Sequence, residues 1–299
     1  MKSGTVVYIS NEKIFVVTAE VKGSIVKVSD CFQLPLAEGT MLNGVIIDEY
    51  GLKNSLNELS EHGIDKVHLV VDSAKILAKT AVVPKMKEKE IIQFVKDELS
   101  NVDDNSEDVV FDFAYLGPNE EVKGSHKILC VGVERKFIES YLDVFHECHI
   151  EILSIDYAIN VLISLVKELS GFIDKTYAIC QIDGQNMISV VFINNEYALT
   201  NRTRLFANRG TSDYESEILN AVSHLKQFAS SSQHDQPLLD IYFFGLNQDE
   251  EHSLFEKIYT TLDLITNRLP KSKAIYMEGK DGYFDVNEYV YCIGSYKRK

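Results

Sequence analysis

The sequence predicts an α/β protein of two related lobes, because one pattern of strands occurs twice and helices alternate with strands after each copy. The first copy is a meander of three strands separated by short turns: Thr5–Ile9, Ile14–Val21 and Ile25–Leu34. The second copy begins roughly 170 residues later, a spacing that indicates a duplicated lobe and not a solenoid of short repeats. Its strands are Tyr177–Ile182, Met187–Ile193 and Glu196–Leu205.

Helices and strands follow each meander in an order that predicts mixed sheets covered by crossover helices. In the first half the pattern predicts strand Lys127–Val133, helix Arg135–Glu147, strand Ile150–Ile155 and helix Asp156–Leu169. In the second half it predicts helix Asp213–Ala229, strand Leu238–Phe244, helix Glu251–Leu264, and strands Ala274–Met277 and Tyr289–Ile293. We therefore predict a first lobe over residues 1–170 and a second over residues 171–299.

An additional segment, at about residues 45–125, interrupts the first lobe. It is predicted to contain helix Tyr50–His62, strands Lys66–Val71 and Lys75–Val83, helix Lys87–Leu99 and strand Val109–Leu116. The polar stretches Asn101–Glu107 and Gly117–Ser125 are typical of loops. Because the segment has enough apolar residues for a small core, we interpret it as an inserted α/β subdomain.

Charge and composition exclude some classes of partner. The chain has 299 residues, 45% of them hydrophobic, and 30 Lys and Arg against 45 Asp and Glu give a net charge of −15. Such a surface repels polyanions, which argues against nucleic acid as a partner and against direct docking on an anionic membrane. Five dispersed cysteines without a CxxC pair favour a reducing compartment. With no signal-peptide pattern and no long apolar run, we expect a cytoplasmic protein.

Common catalytic motifs are missing from the sequence. It contains no GxxxxGK[ST], GxGxxG, GxSxG or HExxH pattern. The run Phe145–His149 (FHECH) places two histidines and a cysteine together, but no second His/Cys cluster exists to complete a zinc site. We therefore predict neither catalytic residues nor a metal site.

Three turns could serve a nucleotide. The first meander turns at Ser10 and Asn11, the second at Asp183 and Gly184, and the strand ending at Phe244 is followed by Gly245. Glycine allows close approach of the backbone to phosphate, and a carboxylate can hold Mg²⁺. An ordinary turn explains Asp183–Gly184 equally well, because glycine supplies a positive φ. These five residues are the candidate nucleotide-binding positions.

Several short motifs, in their order and spacing, resemble one family over nearly the whole chain. They are Gly44–Asp48, Val67–Ser73, Val83–Met86, Phe111–Phe113, Leu199–Gly210 and Cys292–Arg298. Together they resemble the type IV pilus assembly protein PilM family, an FtsA-like branch of the actin superfamily. The resemblance implies an actin-like α/β fold of two ribonuclease-H-like lobes (a βββαβα duplication) facing a cleft, with a small α/β subdomain inserted in the first lobe.

The resemblance also implies a partner. A PilM-like protein lies at the inner face of the cell membrane, held by a protein partner among the other pilus or secretion assembly proteins. It binds the cytoplasmic N-terminal tail of a PilN-like inner-membrane protein as an extended peptide, in a groove beside the inserted subdomain. The family has no sharp motif for this groove, so its residues cannot be assigned from the sequence. The net charge of −15 favours a tail that carries Lys or Arg.

The implied cofactors are ATP and Mg²⁺, but the sequence departs from the family at each phosphate turn. Tyr8 and Ser10 stand where the family has Asp and Gly, and Gln181 and Asp183 stand at the second such pair. At the adenine turn Gly245 is followed by Leu246 instead of a second glycine. We therefore predict a non-catalytic assembly protein that binds ATP weakly or not at all.

Two alternatives stay open at this point. The chain is a working ATP-binding member of the family if Asp183 and backbone contacts suffice for the nucleotide. It is a small-molecule kinase of the same fold if a catalytic carboxylate faces the cleft. Asp156 is the best candidate for that carboxylate, although an Asp at the start of a helix is more often a cap.

Overall fold

The computed structural model describes residues 3–100, 108–119, 122–169, 171–172, 175–231, 237–279 and 284–298. The predicted loop at Asn101–Glu107 lies outside these residues. In the first half the elements are β1 (Gly4–Ile9), β2 (Lys13–Lys22), β3 (Ile25–Pro35), β4 (Met41–Leu42), β5 (Val45–Ile46), α1 (Glu49–Glu61), β6 (Lys66–Val71), β7 (Leu77–Pro84), α2 (Glu88–Ser100), β8 (Val109–Pro118), β9 (Ser125–Glu134), α3 (Arg135–Glu147), β10 (Glu151–Tyr157) and α4 (Ala158–Val166). In the second half they are β11 (Tyr177–Asp183), β12 (Asn186–Ile193), β13 (Glu196–Arg204), α5 (Ser212–Ser231), β14 (Asp240–Phe244), α6 (Gln248–Leu262), β15 (Ile265–Arg268), β16 (Ile275–Met277), a 3₁₀ turn (Val286–Glu288) and α7 (Val290–Lys297).

Two sheets repeat one topology, which confirms the predicted actin-like α/β fold. The first sheet has the order β10-β6-β1-β2-β3-β16, and the second has the order β13-β12-β11-β14-β15. In each sheet the meander strands pair antiparallel, and the first strand of the meander pairs in parallel with the strand that follows the next helix. We call the first sheet with its helices the first lobe and the second sheet with its helices the second lobe.

Two apolar helices fill the space between the sheets. Helix α4 is buried almost all round, and it packs against α7 and the inner faces of both sheets. On the outer face of the first sheet lie α1 and α3, and on the outer face of the second lie α5 and α6. A helix covered on two sides needs apolar residues on its whole circumference, whereas the outer helices need only one apolar stripe.

The last helix corrects one prediction. Residues Tyr289–Ile293 were expected as a strand, but α7 begins at Val290 and runs between the two sheets. A short run that is apolar on every side has the same appearance in a buried strand and in a buried helix, so periodicity cannot distinguish them. Together with β16, which pairs with β3, this helix returns the end of the chain to the first lobe.

The inserted subdomain is a three-stranded sheet, hereafter the small sheet, of order β7-β9-β8 with α2 packed on it. It is built from residues 77–134, whereas α1 and β6 belong to the first lobe, where β6 lies between β1 and β10. The strand predicted at Lys127–Val133 is therefore the centre of the small sheet. The predicted lobe limits, residues 1–170 and 171–299, stay predictions. Among the described residues, no helix combines the length and the apolar character needed to cross a membrane.

Candidate functional site

A cleft of about 600 Å³ lies between the two lobes. Its lining includes the ends of β1, β11 and β14 and the segment that leads into α7. Ser10, Asp183 and Gly245, three of the five candidate nucleotide-binding residues, line it. Ser10 and Asp183 also line a second cavity of about 170 Å³, where Asn11 joins them. These residues therefore form the partition between the two cavities.

The turns of the two meanders are joined by a direct contact across this partition. The backbone N–H of Asn11 donates to Asp183 Oδ2 at 2.9 Å, and the side-chain amide of Asn11 donates to the same oxygen at 2.8 Å. Ser10 Oγ accepts the backbone N–H groups of Glu12 and Lys13, which closes the first turn on itself. Ser10, Asn11 and Asp183 were selected separately from the sequence, and in the structure they lie side by side.

Asp183 is 7% exposed, and its surroundings change the pKa of its carboxyl group. Burial raises the pKa of Asp183 to about 6, and the nearby carboxylates of Glu12 and Asp72 add to the rise. The hydrogen bonds from Asn11 and Ser10 lower the pKa and oppose part of this effect. At neutral pH the group is a buried carboxylate, and it is stabilised by the donors of the first turn.

Gly184 serves the turn and does not line either cavity. Its φ is +58°, a conformation that favours glycine, and its carbonyl accepts the hydroxyl of Tyr214 at 2.7 Å. The ordinary turn considered in the sequence analysis is therefore enough to explain this glycine.

The floor of the cleft is an uncharged hydrogen-bond chain. Gln181 Nε2 donates to the hydroxyl of Tyr8 at 3.1 Å, and the hydroxyl of Tyr291 donates to Gln181 Oε1 at 2.8 Å. All three side chains are buried, and burial raises the pKa values of Tyr8 and Tyr291 well above their ordinary value. Tyr8 and Gln181 stand where the resemblance places two carboxylates, so this floor offers no charged ligand to a cation.

Gly245 is needed for the close approach of two strands. Its φ is +86°, and a Cβ at this position would lie 2.1 Å from the carbonyl oxygen of Ile182. Leu246 turns into the core of the second lobe, and Asn247 caps α6 through a reciprocal capping box with Glu250. Arg209 donates to Glu250 and to the Gly245 carbonyl. The turn is therefore held by contacts within the second lobe.

The charges of the cleft do not suit a nucleoside triphosphate with Mg²⁺. Carboxylates exceed cations among the lining residues, which are Lys13, Arg209, Arg268, Glu12, Asp183, Glu251, Asp285 and Glu288. Arg209 is already paired with Glu250, and Arg268 with Glu251 and Asp285. In the described part of the chain, no three Asp, Glu, His or Cys side chains converge as metal ligands would. The residues present therefore fit neither the triphosphate nor its metal ion.

A second polar contact joins the lobes around the smaller cavity. Arg202 on β13 forms a bidentate ion pair with Asp72 at the end of β6, with both N–O distances 2.6 Å. Asp72 is 6% exposed, and the pair lies 130 residues apart in the sequence. Reasoning from the sequence did not select Asp72 as a functional residue. Its position directly after the buried strand β6 was the available signal.

Asp156, the candidate carboxylate of the kinase alternative, is engaged by the last helix. It is 1% exposed, and Oδ2 accepts the hydroxyl of Ser295 at 2.8 Å. Arg298 also forms an ion pair with this carboxylate. Asp156 lies at the end of β10, does not line the cleft and anchors α7 to the first lobe.

The histidine-rich run lies at the end of α3. His146 occupies the last turn, and Cys148 is the buried C-terminal cap of the helix. His149 adopts a left-handed conformation with φ +59° as the chain leaves the helix. Side chains arranged in this way end a helix and do not converge on one point.

A groove of about 320 Å³ lies where the small sheet meets α4 and the second lobe. Its lining is mostly apolar or uncharged: Thr80, Ala81, Val82, Leu116, Gly117, Pro118, Ile163, Val166, Phe192, Asn195 and Tyr197, with Lys127, Lys167 and Glu196 as the charged residues. Strand β7 is an edge strand of the small sheet and β13 is an edge strand of the second sheet. An ion pair between Lys127 and Glu196 joins the two walls.

Comparison with known proteins agrees with this architecture. The model of the family described as type IV pilus assembly protein PilM matches residues 7–276. A chain of a PilM–PilN type IV pilus biogenesis complex superposes with a TM-score of 0.77 at 14% identity, over 99% of this chain and 96% of that one.

Two further solved structures share the fold. The ethanolamine utilization protein EutJ from Carboxydothermus hydrogenoformans gives a TM-score of 0.55 at 8% identity, over 100% of this chain and 90% of that one. A protein of unknown function with an actin-like ATPase fold from Bacteroides thetaiotaomicron gives 0.53 at 10% identity, over 88% of this chain and 90% of that one. No curated protein sequence matches the chain.

Proposed function

The chain belongs to the family of type IV pilus assembly protein PilM, and on that premise we propose that it is a non-catalytic assembly protein. Its partner is the cytoplasmic N-terminal tail of a PilN-like inner-membrane protein, which holds it at the inner face of the cell membrane. The fold likeness to a chain of a PilM–PilN complex supports this choice of partner. The machine that it serves is a type IV pilus or a related secretion or competence apparatus.

The observation that carries the proposal is the groove between the small sheet and the second lobe. An extended peptide binds by adding to an exposed strand edge while its alternate side chains enter pockets. Edge strands β7 and β13 both border the groove, and Val82 on β7 leaves 44% of its surface exposed there. A short extended segment with apolar side chains at alternate positions fits this lining. Lys or Arg residues beside that segment would be attracted by the net charge of −15.

The absence of catalysis is proposed from the chemistry of the cleft. The chain Tyr8–Gln181–Tyr291 leaves no carboxylate on the floor to hold Mg²⁺ or to orient water. Asp183 is bound to Asn11, and the arginines that face the cleft are paired with acidic residues. We propose that ATP and Mg²⁺ are not required for binding of the tail.

A peptide-binding measurement tests the proposal. The N-terminal tail of a PilN-like protein from the same organism is synthesised with a fluorescent label, and its anisotropy is followed on titration with the full-length protein. We expect Val82→Glu to weaken binding at least about tenfold, because a carboxylate would have to be buried in an apolar contact. Ile265→Glu is the matched control, since Ile265 is 53% exposed and lies on β15 outside the groove.

Three results would contradict the proposal. Equal affinities of the Val82→Glu and Ile265→Glu proteins would remove the groove as the binding site. ATP hydrolysis by the unaltered protein above the rate in a protein-free control would contradict the non-catalytic assignment. A requirement for ATP in tail binding would contradict the proposal that the tail binds without a nucleotide.

A further inference from the structure

The contact between Asn11 and Asp183 connects two lobes through residues 172 positions apart. Both donors of Asn11 point at one carboxylate oxygen, and the remaining polar atom of the side chain is also engaged, because Asn11 Oδ1 accepts the backbone N–H of Asn43 at 2.7 Å. The side chain of Asn11 is therefore held in one orientation. A third segment of the chain, the loop at Asn43, supports the contact from the first lobe.

A backbone N–H at the tip of a turn, with a side-chain amide beside it, is a typical anion-binding arrangement. Here the anion is a side chain of the protein itself. Asp183 is buried, and it sits at the partition between the two cavities. A phosphate oxygen approaching the N–H of Asn11 would have to displace a carboxylate that is already bonded there. It would also meet the negative charges of Glu12 and Asp72, which lie near Asp183.

The pair of Arg202 and Asp72 provides a second connection of the same kind. Asp72, Arg202, Asn11 and Asp183 all line the smaller cavity, so the two polar contacts stand around one space between the lobes. Each contact takes one partner from the first lobe and the other from the second. Opening of the cleft at this end would break both contacts, so their charge-assisted hydrogen bonds oppose opening.

We propose that Asp183 is a built-in carboxylate ligand of the first turn and that, with the pair of Arg202 and Asp72, it holds the two lobes closed without a nucleotide. The inference goes beyond the proposed function, because it concerns what closes the cleft and not what binds the groove. In this protein the relative position of the lobes is then constant and does not follow a cycle of nucleotide binding and release.

Hydrogen exchange at the backbone amide of Asn11 tests this proposal directly. Exchange is measured on the full-length protein and on two variants, Asp183→Ala and Asp183→Asn. The second keeps the size of the side chain but removes its charge. Asp240→Asn is the control, because Asp240 pairs with Lys175 inside the second lobe and does not line either cavity. Segments from β9 and α2, which belong to the inserted subdomain and line neither cavity, report whether each variant is folded.

The proposal predicts that exchange at Asn11 is at least about tenfold faster in Asp183→Ala, since hydrogen bonds to a charged group are among the stronger ones. Exchange along β13 near Arg202 accelerates with it, Asp183→Asn gives an intermediate rate, and Asp240→Asn gives the rate of the unaltered protein. ATP with Mg²⁺ leaves the rate at Asn11 in the unaltered protein unchanged.

Two outcomes overturn it. An Asn11 rate that does not change in Asp183→Ala, while β9 and α2 stay protected, means that the carboxylate holds nothing closed. Slower exchange at Asn11 on addition of ATP to the unaltered protein means that a nucleotide takes the place assigned to Asp183. Neither outcome depends on the tail peptide, so this experiment tests closure of the lobes independently of the proposal that the tail binds in the groove.

Discussion

Gly294 allows the two central helices to touch, and its replacement by alanine should separate them. Gly294 lies in α7, where a Cβ would stand 2.4 Å from the carbonyl oxygen of Val161 in α4 and 2.9 Å from the carbonyl carbon. Ordinary contact begins at 3.4 Å, so the helices must move apart by 3.4 − 2.4 = 1.0 Å to accept the methyl group. The atoms in the way are backbone atoms of a buried helix, which cannot turn aside as a side-chain end can.

The expected cost combines two opposing effects. Forcing an extra methyl group into a well-packed interior costs about 1–3 kcal/mol, and a backbone clash belongs at the upper end of that range. Alanine favours a helix over glycine by about 1 kcal/mol, which offsets part of the loss. We therefore expect Gly294→Ala to lower the free energy of unfolding by about 2 kcal/mol, although the same change in an exposed helix stabilises a protein.

Urea denaturation followed by circular dichroism measures this change. Gly132→Ala is the matched control, because a Cβ there would meet the side-chain ends of Leu99 and Phe111 at 3.1–3.3 Å, and these ends can shift. We expect the control to lose less than Gly294→Ala. A Gly294→Ala protein as stable as the unaltered chain, or more stable, would refute the reasoning. It would mean that α4 and α7 accept the methyl group without the clash with the backbone of Val161.

Two further predictions concern the contacts between the lobes. The pKa of Asp183 is raised from 3.8 to about 6 in the folded protein, so the folded protein keeps this proton to higher pH than the unfolded chain does. The contribution of Asp183 to the free energy of unfolding therefore falls as the pH rises from about 4 to above 6. The stability of the unaltered protein relative to Asp183→Asn should therefore decrease across that window in denaturation series at several pH values, and a constant or increasing difference would contradict the shift. Removal of one partner of the buried pair, as in Arg202→Met, should cost about 3 kcal/mol, because Asp72 is left charged and buried. The double variant Arg202→Met with Asp72→Leu should recover part of the loss, and a double-mutant cycle with no coupling would show that the pair does not join the lobes.

The sequence predicted the architecture well where the pattern was periodic. The duplicated meander, the outer helices with one apolar stripe and the inserted segment are local signals, and each appears in the structure. The limits of the insert were less accurate, because β6 and β9 are similar apolar strands and only their pairing assigns one to the first sheet and the other to the small sheet. The nature of α7 was also hidden, since a buried helix in the centre of the molecule has no polar side.

The candidate site could be predicted only in part. The turns were visible because glycine and short polar residues mark them, and Ser10, Asn11 and Asp183 do come together. That Asp183 would bind Asn11 was not predictable, since the contact depends on how two lobes pack over 172 residues of chain. The same is true of Arg202 and Asp72, which lie on different lobes, and of the groove, which needs elements from three parts of the chain.

Three positions at which this chain departs from the pattern that the resemblance implies are hydrogen-bonded to one another or to a neighbouring side chain: Tyr8, Gln181 and Asp183. Tyr8 binds Gln181, which binds Tyr291, and Asp183 binds Asn11. A single substitution in a nucleotide site would leave a buried polar group without a partner, at a cost of about 1–3 kcal/mol. Here none of these side chains has a buried polar atom without a partner. Because Tyr8 and Asn11 belong to the first lobe and Gln181 and Asp183 to the second, these hydrogen bonds join the lobes without a ligand.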